Sequence, residues 1–354
     1  MSAAVPAPES GPDAGAVWHH GDPLGEQRAA TDSVVVVDRS HRPVLTLRGA
    51  DRKTWLHSLT TQHVSDLPDG AVTENLSLDG QGRVEDHWVQ TELDGVTYLD
   101  TEPGRGEPLL AYLTKMVFWS DVVVEPAELA LLTLLGPLVG DSPVLATLGV
   151  DALPAVDTAV ALGGGGFLRR RGEIEVDVLV PREQAADLRQ RLVDAGVREA
   201  GMWTYEAYRV AALRPRLGVD TDERTIPHEV GWIGPAVHLD KGCYRGQETV
   251  ARVHNLGKPP RMLVLLHLDG SDDRPAPGAQ VLAGGRVVGR LGTVVDHVDE
   301  GPVALALLKR GLPADTALEV DGTPAVIDAD TLPPPDVAGA GRRAVEQLRG
   351  GARP

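Results

Sequence analysis

Residues 240–249 read "DKGCYRGQET" and contain Cys243, the only cysteine in a chain of 354 residues. The flanking lysine, arginine, glycines, glutamine and glutamate do not have the composition of a hydrophobic core. Neighbouring cations, here Lys241 and Arg245, favour the thiolate, which is the nucleophilic form of a cysteine. The stretch therefore predicts a reactive, partly exposed thiol. The alternative is a buried structural cysteine, which is the commoner environment of a single thiol.

The residues around the thiol predict a tight loop followed by a helix. Gly242 and Gly246 permit backbone angles that other residues avoid. Residues 247–254, "QETVARVH", have the pattern of a helix start, and a helix N-terminus carries partial positive charge. Residues 241–261 contain five Lys or Arg and a single acid, Glu248. The neighbourhood of the thiol therefore suits a small anionic ligand.

The composition is that of a globular protein with a core, since 42% of the residues are hydrophobic and 24% are charged. The formal net charge of −17 and the pI near 5.0 argue against general nucleic-acid binding, which depends on clustered Lys and Arg. No basic-then-apolar leader opens the sequence, and no apolar stretch reaches the roughly 18 residues of a membrane helix. We therefore expect a cytoplasmic protein without membrane contact. A single cysteine cannot supply the usual ligands of a structural zinc or an iron–sulfur cluster, so no metal site is predicted.

The chain is predicted to be an ordered body between two tails. Residues 1–16 and 333–354 are rich in Ala, Pro and Gly, which predicts disorder at both ends. Short strands broken by Gly and Pro after Lys258 predict a small antiparallel barrel, which begins near that lysine. Other strands are predicted within residues 33–49, 73–103 and 122–137, with hairpin turns at Asp79-Gly80 and Asp94-Gly95, and helices at 106–118, 181–196 and 202–213.

Two conspicuous segments receive ordinary interpretations. Residues 163–166 are four glycines, but neither a Gly-Lys-Ser/Thr sequence nor a helix follows them, so a loop is expected rather than a phosphate site. Arg169, Arg170 and Arg171 are expected at a solvated turn. Strand alternation would leave one or two of them available to an anion.

Paired acids follow a glycine-rich turn in residues 82–89, "GRVEDHWV". Successive strand residues face opposite sides, so either Glu85 or Asp86 can point inward while the other meets solvent. A buried carboxylate needs a partner, and the amino or amide edge of a heterocycle is one candidate. An ordinary edge-strand acid explains the pair equally well.

With these motifs in view, residues 241–248, "KGCYRGQE", resemble the signature of YgfZ-type folate-binding proteins. These are relatives of the glycine-cleavage T-protein, an aminomethyltransferase. Residues 82–89 are similar to the T-protein strand with paired aspartates, and residues 205–229 resemble the segment around its R-x-E-A-G-x-P sequence. The resemblance covers about residues 32–330, in the same order along the chain.

The resemblance implies an α+β fold. Residues 17–257 would form a T-protein-like folate-binding body around a central cavity, with two subdomains that divide near residues 125–160. Residues 258–332 would form the small C-terminal β-barrel. The implied ligand is tetrahydrofolate or a related reduced folate.

The resemblance also implies roles for particular residues. Cys243 would be the reactive thiol, supported by Lys241 and Arg245, and the basic loop would meet the anionic glutamate tail of the folate. Tyr112, Lys115 and Trp119 are predicted on one helix face as an aromatic wall for the pterin, although packing against a sheet explains them equally well. The full set of predicted folate contacts is Glu85, Asp86, Tyr112, Lys115, Trp119, Arg209, Tyr244, Gln247, Glu248 and Arg252.

Departures from the T-protein pattern bear on function. T-proteins carry a glutamate after the arginine of the R-x-E segment, where this chain has Arg209-Val210-Ala211, and they lack the cysteine motif. The resemblance therefore favours a folate-binding accessory factor for iron–sulfur cluster assembly or repair, with iron–sulfur proteins or their assembly machinery as partners. A folate-dependent aminomethyltransferase, or another one-carbon transfer enzyme, is the alternative, and whether any turnover occurs is left open.

A third hypothesis, a cysteine hydrolase, requires a histidine base close to Cys243. His228, His238 and His254 are near it in sequence only. The family resemblance argues against this hypothesis.

Overall fold

The computed structural model describes residues 4–256, 258–270 and 274–332. The chain divides into two compact units. The first unit comprises Met1–His57, His63–Asn75 and Asp86–Tyr208, and the second comprises Ser58–Gln62, Leu76–Glu85 and Arg209–Pro354. The predicted boundaries near residues 125–160 and 258 lie inside these units and stay predictions.

The chain alternates helices and strands in its first two thirds and is mainly strands thereafter. The elements up to residue 211 are β1 (Val5–Pro6), β2 (Val17–His19), α1 (Pro23–Asp32), β3 (Val35–Asp38), β4 (Val44–Arg48), α2 (Arg52–Leu59), β5 (Val72–Leu78), β6 (Val84–Leu93), β7 (Val96–Thr101), α3 (Gly106–Met116), β8 (Val123–Ala127), β9 (Leu129–Leu135), α4 (Ser142–Leu148), β10 (Thr158–Leu162), β11 (Gly166–Arg170), β12 (Glu175–Pro181), α5 (Ala185–Asp194), β13 (Arg198–Ala200) and α6 (Met202–Ala211). The later elements are α7 (Gln247–Leu256), β14 (Arg261–Leu268), β15 (Gln280–Ala283), β16 (Arg286–His297), β17 (Gly301–Lys309), β18 (Leu318–Val320) and β19 (Thr323–Ile327).

A six-stranded sheet forms the centre of the first unit, in the order β10-β11-β12-β9-β3-β13. β9 is buried along its whole length, and all of its residues except Thr133 are apolar, because both of its faces are covered. Leu132 and Leu134 pack with Leu188 of α5 in one core cluster. Leu131 packs with Phe167 in another. Neighbouring residues of β9 belong to different clusters because successive side chains of a strand point to opposite faces of the sheet.

A five-stranded sheet has the order β5-β6-β7-β4-β8. β6 and β7 are joined by the two residues Asp94 and Gly95, whose φ angles of 49° and 75° are both positive. Positive φ at both central residues is the requirement of a type I′ hairpin, for which an Asp-Gly pair is favoured. The predicted hairpin turn at this position is therefore confirmed.

A closed barrel in the order β14-β17-β16-β15-β18-β19 occupies the end of the second unit. Val264, Leu291 and Leu308 belong to the buried cluster shared by its strands. The predicted C-terminal antiparallel barrel is confirmed, and so is the helix predicted after the cysteine loop, which is α7.

The N-terminus corrects the prediction of a disordered tail over residues 1–16. From Ala4 onward the chain is described, and β1 pairs antiparallel with β2. Asp13 is buried, and one of its carboxylate oxygens lies 2.9 Å from Nε2 of His41. Composition predicted disorder because it does not register such long-range partners. The tail predicted over residues 333–354 lies outside the described residues.

Within the described part of the chain, no helix combines the length and the apolar character needed to cross a bilayer.

Candidate functional site

Cys243 is a free, exposed thiol on residues 240–246 of the second unit, which we call the thiol loop. The next residue, Tyr244, is buried and belongs to a core cluster with Leu78 and Trp232. The buried Tyr244 side chain therefore anchors the loop in the core of the second unit, while Cys243 stays accessible. This exposure agrees with the first interpretation of Cys243 and excludes the buried structural cysteine.

Lys241 is buried, which differs from the expected cation beside the sulfur. Its Nζ donates hydrogen bonds to the main-chain carbonyl of Thr60 and, at 3.3 Å, to that of Gln62. Nζ also lies 5.2 Å from the centre of the Tyr244 ring. Burial lowers the pKa of Lys241 to about 8. The ammonium group is thus directed at main-chain oxygens inside the second unit.

Arg245 likewise has a partner of its own, because its Nη1 lies 2.9 Å from Oε2 of Glu85. The two side chains are 49% and 39% exposed, so the pair is a surface ion pair. Such pairs contribute about 0–1 kcal/mol. Glu85 is therefore the outward-facing member of the paired acids predicted from the sequence.

The hairpin between β5 and β6 lies directly against the end of the thiol loop. Gly246 has φ of +82°, and a Cβ at this position would come within 2.7 Å of the Asp79 carbonyl oxygen and 2.8 Å of the Gly82 Cα. The atoms that a side chain would meet belong to the main chain of the hairpin and cannot move aside, so only glycine fits at position 246. The expectation for Gly246 is confirmed, whereas Gly242 is not among the residues with positive φ.

The remaining predicted residues of this region lie on α7. Nε2 of Gln247 donates a hydrogen bond of 3.3 Å to the Lys241 carbonyl, so the helix start closes back on the loop. Glu248 and Arg252 are exposed. Their contact with a folate stays a prediction.

In the first unit, Asp86 is the inward-facing acid, with 4% of its surface exposed. Its Oδ1 accepts hydrogen bonds from Nε of Arg105 at 3.0 Å and from Nη2 at 2.5 Å. Arg105 directly precedes α3, which brings its guanidinium to the strand. The sequence predicted that a buried acid would need a partner, but it did not identify this arginine.

The predicted aromatic wall on α3 is wrong in one member. The helix ends at Met116, because Val117 adopts an extended ψ of 97°, so Trp119 is not on it. Trp119 is 99% exposed. Tyr112 is half-buried and Lys115 is exposed on the helix itself. Helical spacing cannot predict a common face beyond the end of a helix.

Arg209 is buried and hydrogen-bonded inside the protein. Its Nη1 donates to Oδ2 of Asp220 at 2.8 Å and to the Arg214 carbonyl at 3.0 Å, while Nη2 donates to Thr293. These contacts tie the end of α6 to the barrel strand β16. The structure therefore gives Arg209 a structural role, and its folate contact stays a prediction.

The arginine run holds a buried residue where a solvated turn was expected. Arg169 is 1% exposed and pairs with Asp100 at 2.6 Å and with Asp177 at 2.8 Å. Burial alone would raise the pKa of Asp177, but the guanidiniums of Arg169 and Arg39 outweigh it and hold that pKa below its usual value. Arg169 and Asp177 are directly opposite each other on β11 and β12. Aligning these two strands as a hairpin would have revealed the pair.

The histidines proposed for a hydrolase are placed differently from a catalytic pair. Cys243 makes no hydrogen bond within the described residues. The His228 and His254 rings lie 6.2 Å apart, and neither ring nitrogen of His228 has a hydrogen-bond partner in the described part of the chain. Nδ1 of His238 accepts from the Asp240 amide at 3.2 Å. Among described residues, no group of three or more His, Cys, Asp and Glu could hold a metal ion.

Comparison with known proteins bears on the fold first. No protein-family model matches the chain. The crystal structure of the glycine cleavage system aminomethyltransferase T from Bartonella henselae superposes with a TM-score of 0.81, covering 96% of this chain and 95% of that one at 19% identity. The chain has the aminomethyltransferase T fold. The α+β class with a C-terminal barrel is thereby confirmed.

The chain's sequence relatives are distant from it. A chloroplastic protein of Arabidopsis thaliana, named as a transferase, is 24% identical over 281 residues, which are 74% of this chain and 62% of that protein. The aminomethyltransferase of Chromobacterium violaceum is 28% identical over 225 residues, 60% of this chain and 61% of that protein. The aminomethyltransferase of a Synechococcus strain is also 28% identical, over 82% of this chain and 83% of that protein. The chain thus spans about three fifths of the length of the first two.

Proposed function

We propose that the protein binds tetrahydrofolate or a related reduced folate and serves as an accessory factor in iron–sulfur cluster assembly or repair, with Cys243 as its reactive group. The observation that carries the proposal is the exposed thiol on a loop whose neighbours are fixed on every side. Tyr244 is buried, Lys241 is bonded to main-chain oxygens, and Gly246 lies against a hairpin. A thiolate is both a strong nucleophile and a soft metal ligand, so such a loop can present it to a partner protein.

Folate binding is supported by the fold and by Asp86. The pterin ring of a folate offers N–H donors, and a buried carboxylate is the acceptor that suits them. Arg105 holds the Asp86 carboxylate in one orientation before any ligand arrives. The similarity to proteins named aminomethyltransferases favours a one-carbon carrier as the ligand class.

The second candidate is an enzyme that transfers an aminomethyl or other one-carbon group to tetrahydrofolate. The fold and the names of the sequence relatives favour it. Ala211 speaks against it, because a methyl group cannot accept the hydrogen bond expected of the glutamate in that segment. A lost hydrogen bond to a charged group typically costs ~1.5–3 kcal/mol. We expect negligible turnover in the glycine-cleavage reaction with its lipoyl partner protein.

Calorimetric titration with tetrahydrofolate tests the ligand. We expect a binding isotherm for the wild-type protein and weaker binding by Asp86→Asn, since the substitution removes the charge from the acceptor. Arg83→Gln, which changes an exposed charge on the hairpin, is the matched control. Absence of heat and of thermal stabilisation at about millimolar ligand, where even a site of about −4 kcal/mol begins to fill, would refute folate binding.

Complementation tests the cellular role. In cells that lack the protein, the wild-type chain should restore the activity of iron–sulfur enzymes, and Cys243→Ala should not. Asp240→Ala, an exposed substitution in the same loop, is the control and should restore activity. Full restoration by Cys243→Ala would remove the thiol from the proposal. Turnover comparable with a glycine-cleavage aminomethyltransferase would move the protein to the enzyme class.

A further inference from the structure

Lys241 is a buried lysine two residues from an exposed thiol, and its environment separates two possible roles. A lysine that stabilises a thiolate by charge must direct its ammonium toward the sulfur. A lysine that shapes a loop must bond to groups that are themselves fixed. The hydrogen bonds of Lys241 to residues 60 and 62 are of the second kind.

Two acceptors of the Lys241 ammonium are the main-chain carbonyls of residues 60 and 62. A buried ammonium is unfavourable unless hydrogen bonds replace its lost hydration, and these carbonyls supply them. Burial also lowers the pKa of Lys241 to about 8, which is the effect expected of a group removed from water.

Residues 60–62 are held in place from three directions within the second unit. Thr61 Oγ1 donates to the Ala236 carbonyl at 2.6 Å and accepts from the Leu76 amide at 3.2 Å. Nε2 of Gln62 donates to the Pro235 carbonyl at 2.8 Å. The Thr61 amide and carbonyl bond to Leu76 and His238. The carbonyls that receive Lys241 are therefore part of a rigid support.

The loop is also closed behind Lys241. Gln247, at the start of α7, donates a hydrogen bond to the Lys241 carbonyl. The side chain of Lys241 therefore holds the beginning of the thiol loop against residues 60–62, and its main-chain carbonyl holds the end of the loop through Gln247. Between these anchors stand Gly242, Cys243, Tyr244, Arg245 and Gly246.

We propose that Lys241 is a positioning residue, which sets the conformation of the thiol loop through the main chain of residues 60–62, and that it does not activate the sulfur of Cys243 by charge. The inference rests on the proposed function only in treating Cys243 as the functional group. It assigns residues 60–62, which no sequence motif singled out, to the support of the site.

Two measurements on the full-length protein distinguish positioning from activation. The first is the rate of Cys243 alkylation by iodoacetamide as a function of pH, which gives a midpoint pH. The second is hydrogen exchange of the loop amides. For Lys241→Met we expect an unchanged midpoint and exchange in residues 240–247 faster by on the order of tenfold or more, because buried hydrogen bonds are lost. Activation predicts the reverse, a midpoint displaced to higher pH with unchanged exchange.

The matched control is Lys309→Met. Lys309 is exposed on the barrel, and its Nζ also donates to a main-chain carbonyl, that of Val287, at 2.8 Å. Neither the midpoint nor loop exchange should change in this variant. A change as large as that in Lys241→Met would show that the effect is not specific to the thiol loop and would overturn the proposal.

Chemical rescue covers the case in which Lys241→Met does not fold. In Lys241→Ala, added propylamine replaces the missing part of the side chain and should restore slow exchange in the loop. Tetramethylammonium carries the charge without N–H donors and should not restore it. Equal rescue by both cations would mean that charge alone matters, and failure of both would remove the hydrogen bonds from the explanation; either result overturns the proposal.

These results are independent of the folate and complementation experiments. Full complementation by Cys243→Ala would refute the proposed function and leave the exchange and alkylation data unaffected. A displaced alkylation midpoint in Lys241→Met would refute the positioning role and leave the proposed function standing.

Discussion

Two regions of the molecule, the Arg169 cluster of the first unit and the thiol loop of the second, place their charges in opposite ways. In the first unit, Arg169 lies between Asp100 and Asp177, and all three are buried. In the second, the thiol loop has an exposed ion pair, Arg245 with Glu85, and a buried cation, Lys241, that donates to neutral carbonyls. The first arrangement joins strands and leaves no group accessible. The second fixes a loop and leaves a thiol accessible.

The strongest way to break this comparison is Arg169→Met. The substitution leaves the buried carboxylates of Asp100 and Asp177 without the Arg169 guanidinium. Breaking a buried ion pair in this way lowers the free energy of unfolding by ~3–5 kcal/mol. Urea unfolding measures the loss. Arg170→Met is the control, because Arg170 pairs at the surface with Glu173 and should cost less than about 1 kcal/mol. Equal costs for the two substitutions would contradict the importance of burial.

A smaller effect is expected from pH through His228. Burial, and to a lesser extent His254, lowers the pKa of His228 to about 4 from 6.5. Between these values the unfolded chain binds a proton that the folded protein does not, so stability falls as the pH decreases from about 6.5 to 4. The slope is at most ~1.4 kcal/mol per pH unit, and smaller because the ring is partly exposed.

His228→Gln tests this slope, because glutamine does not titrate. Urea midpoints measured across the interval should depend less on pH in the variant than in the wild-type protein. His254→Gln is the control on the exposed partner and should retain most of the slope. Parallel pH profiles for wild type and His228→Gln would show that His228 does not contribute to the pH dependence of stability.

The smallest effects are expected in the thiol loop. Arg245→Ala removes a surface ion pair and should lower the free energy of unfolding by about 0–1 kcal/mol. Cys243→Ala should change it by no more than about 0.5 kcal/mol, because the side chain is exposed. Thermal unfolding measures both. A loss of several kcal/mol for Cys243→Ala would identify a core residue instead.

Local signals predicted a large part of the fold. The Asp94-Gly95 turn, the barrel strands and α7 all follow from glycine placement and hydrophobic period, which neighbouring residues determine. The ordered N-terminal segment did not follow, because Asp13 meets His41 across a long stretch of chain. Composition records what a segment contains and not what it will contact.

In the candidate site, the sequence predicted the exposure and orientation of particular side chains better than their contacts. The exposure of Cys243 and the opposite orientations of Glu85 and Asp86 follow from local composition and strand alternation. The partners do not: Arg105 reaches Asp86 from the start of α3, and Lys241 reaches carbonyls of residues 60 and 62. Carbonyl acceptors belong to every residue, so no sequence pattern can mark them.

The contact between Gly82 and Gly246 makes the length of a hairpin part of the site. The backbone of the loop from Asp79 to Arg83 lies directly against the backbone of Gly246. No side chain separates the two, so none could adjust its rotamer to a change in loop length. One inserted residue advances a strand by about 3.3 Å, more than the contact can tolerate. A variant with every named residue intact but one extra glycine in the hairpin would therefore displace the thiol. For this protein, the number of residues between β5 and β6 therefore helps to determine the position of the thiol loop.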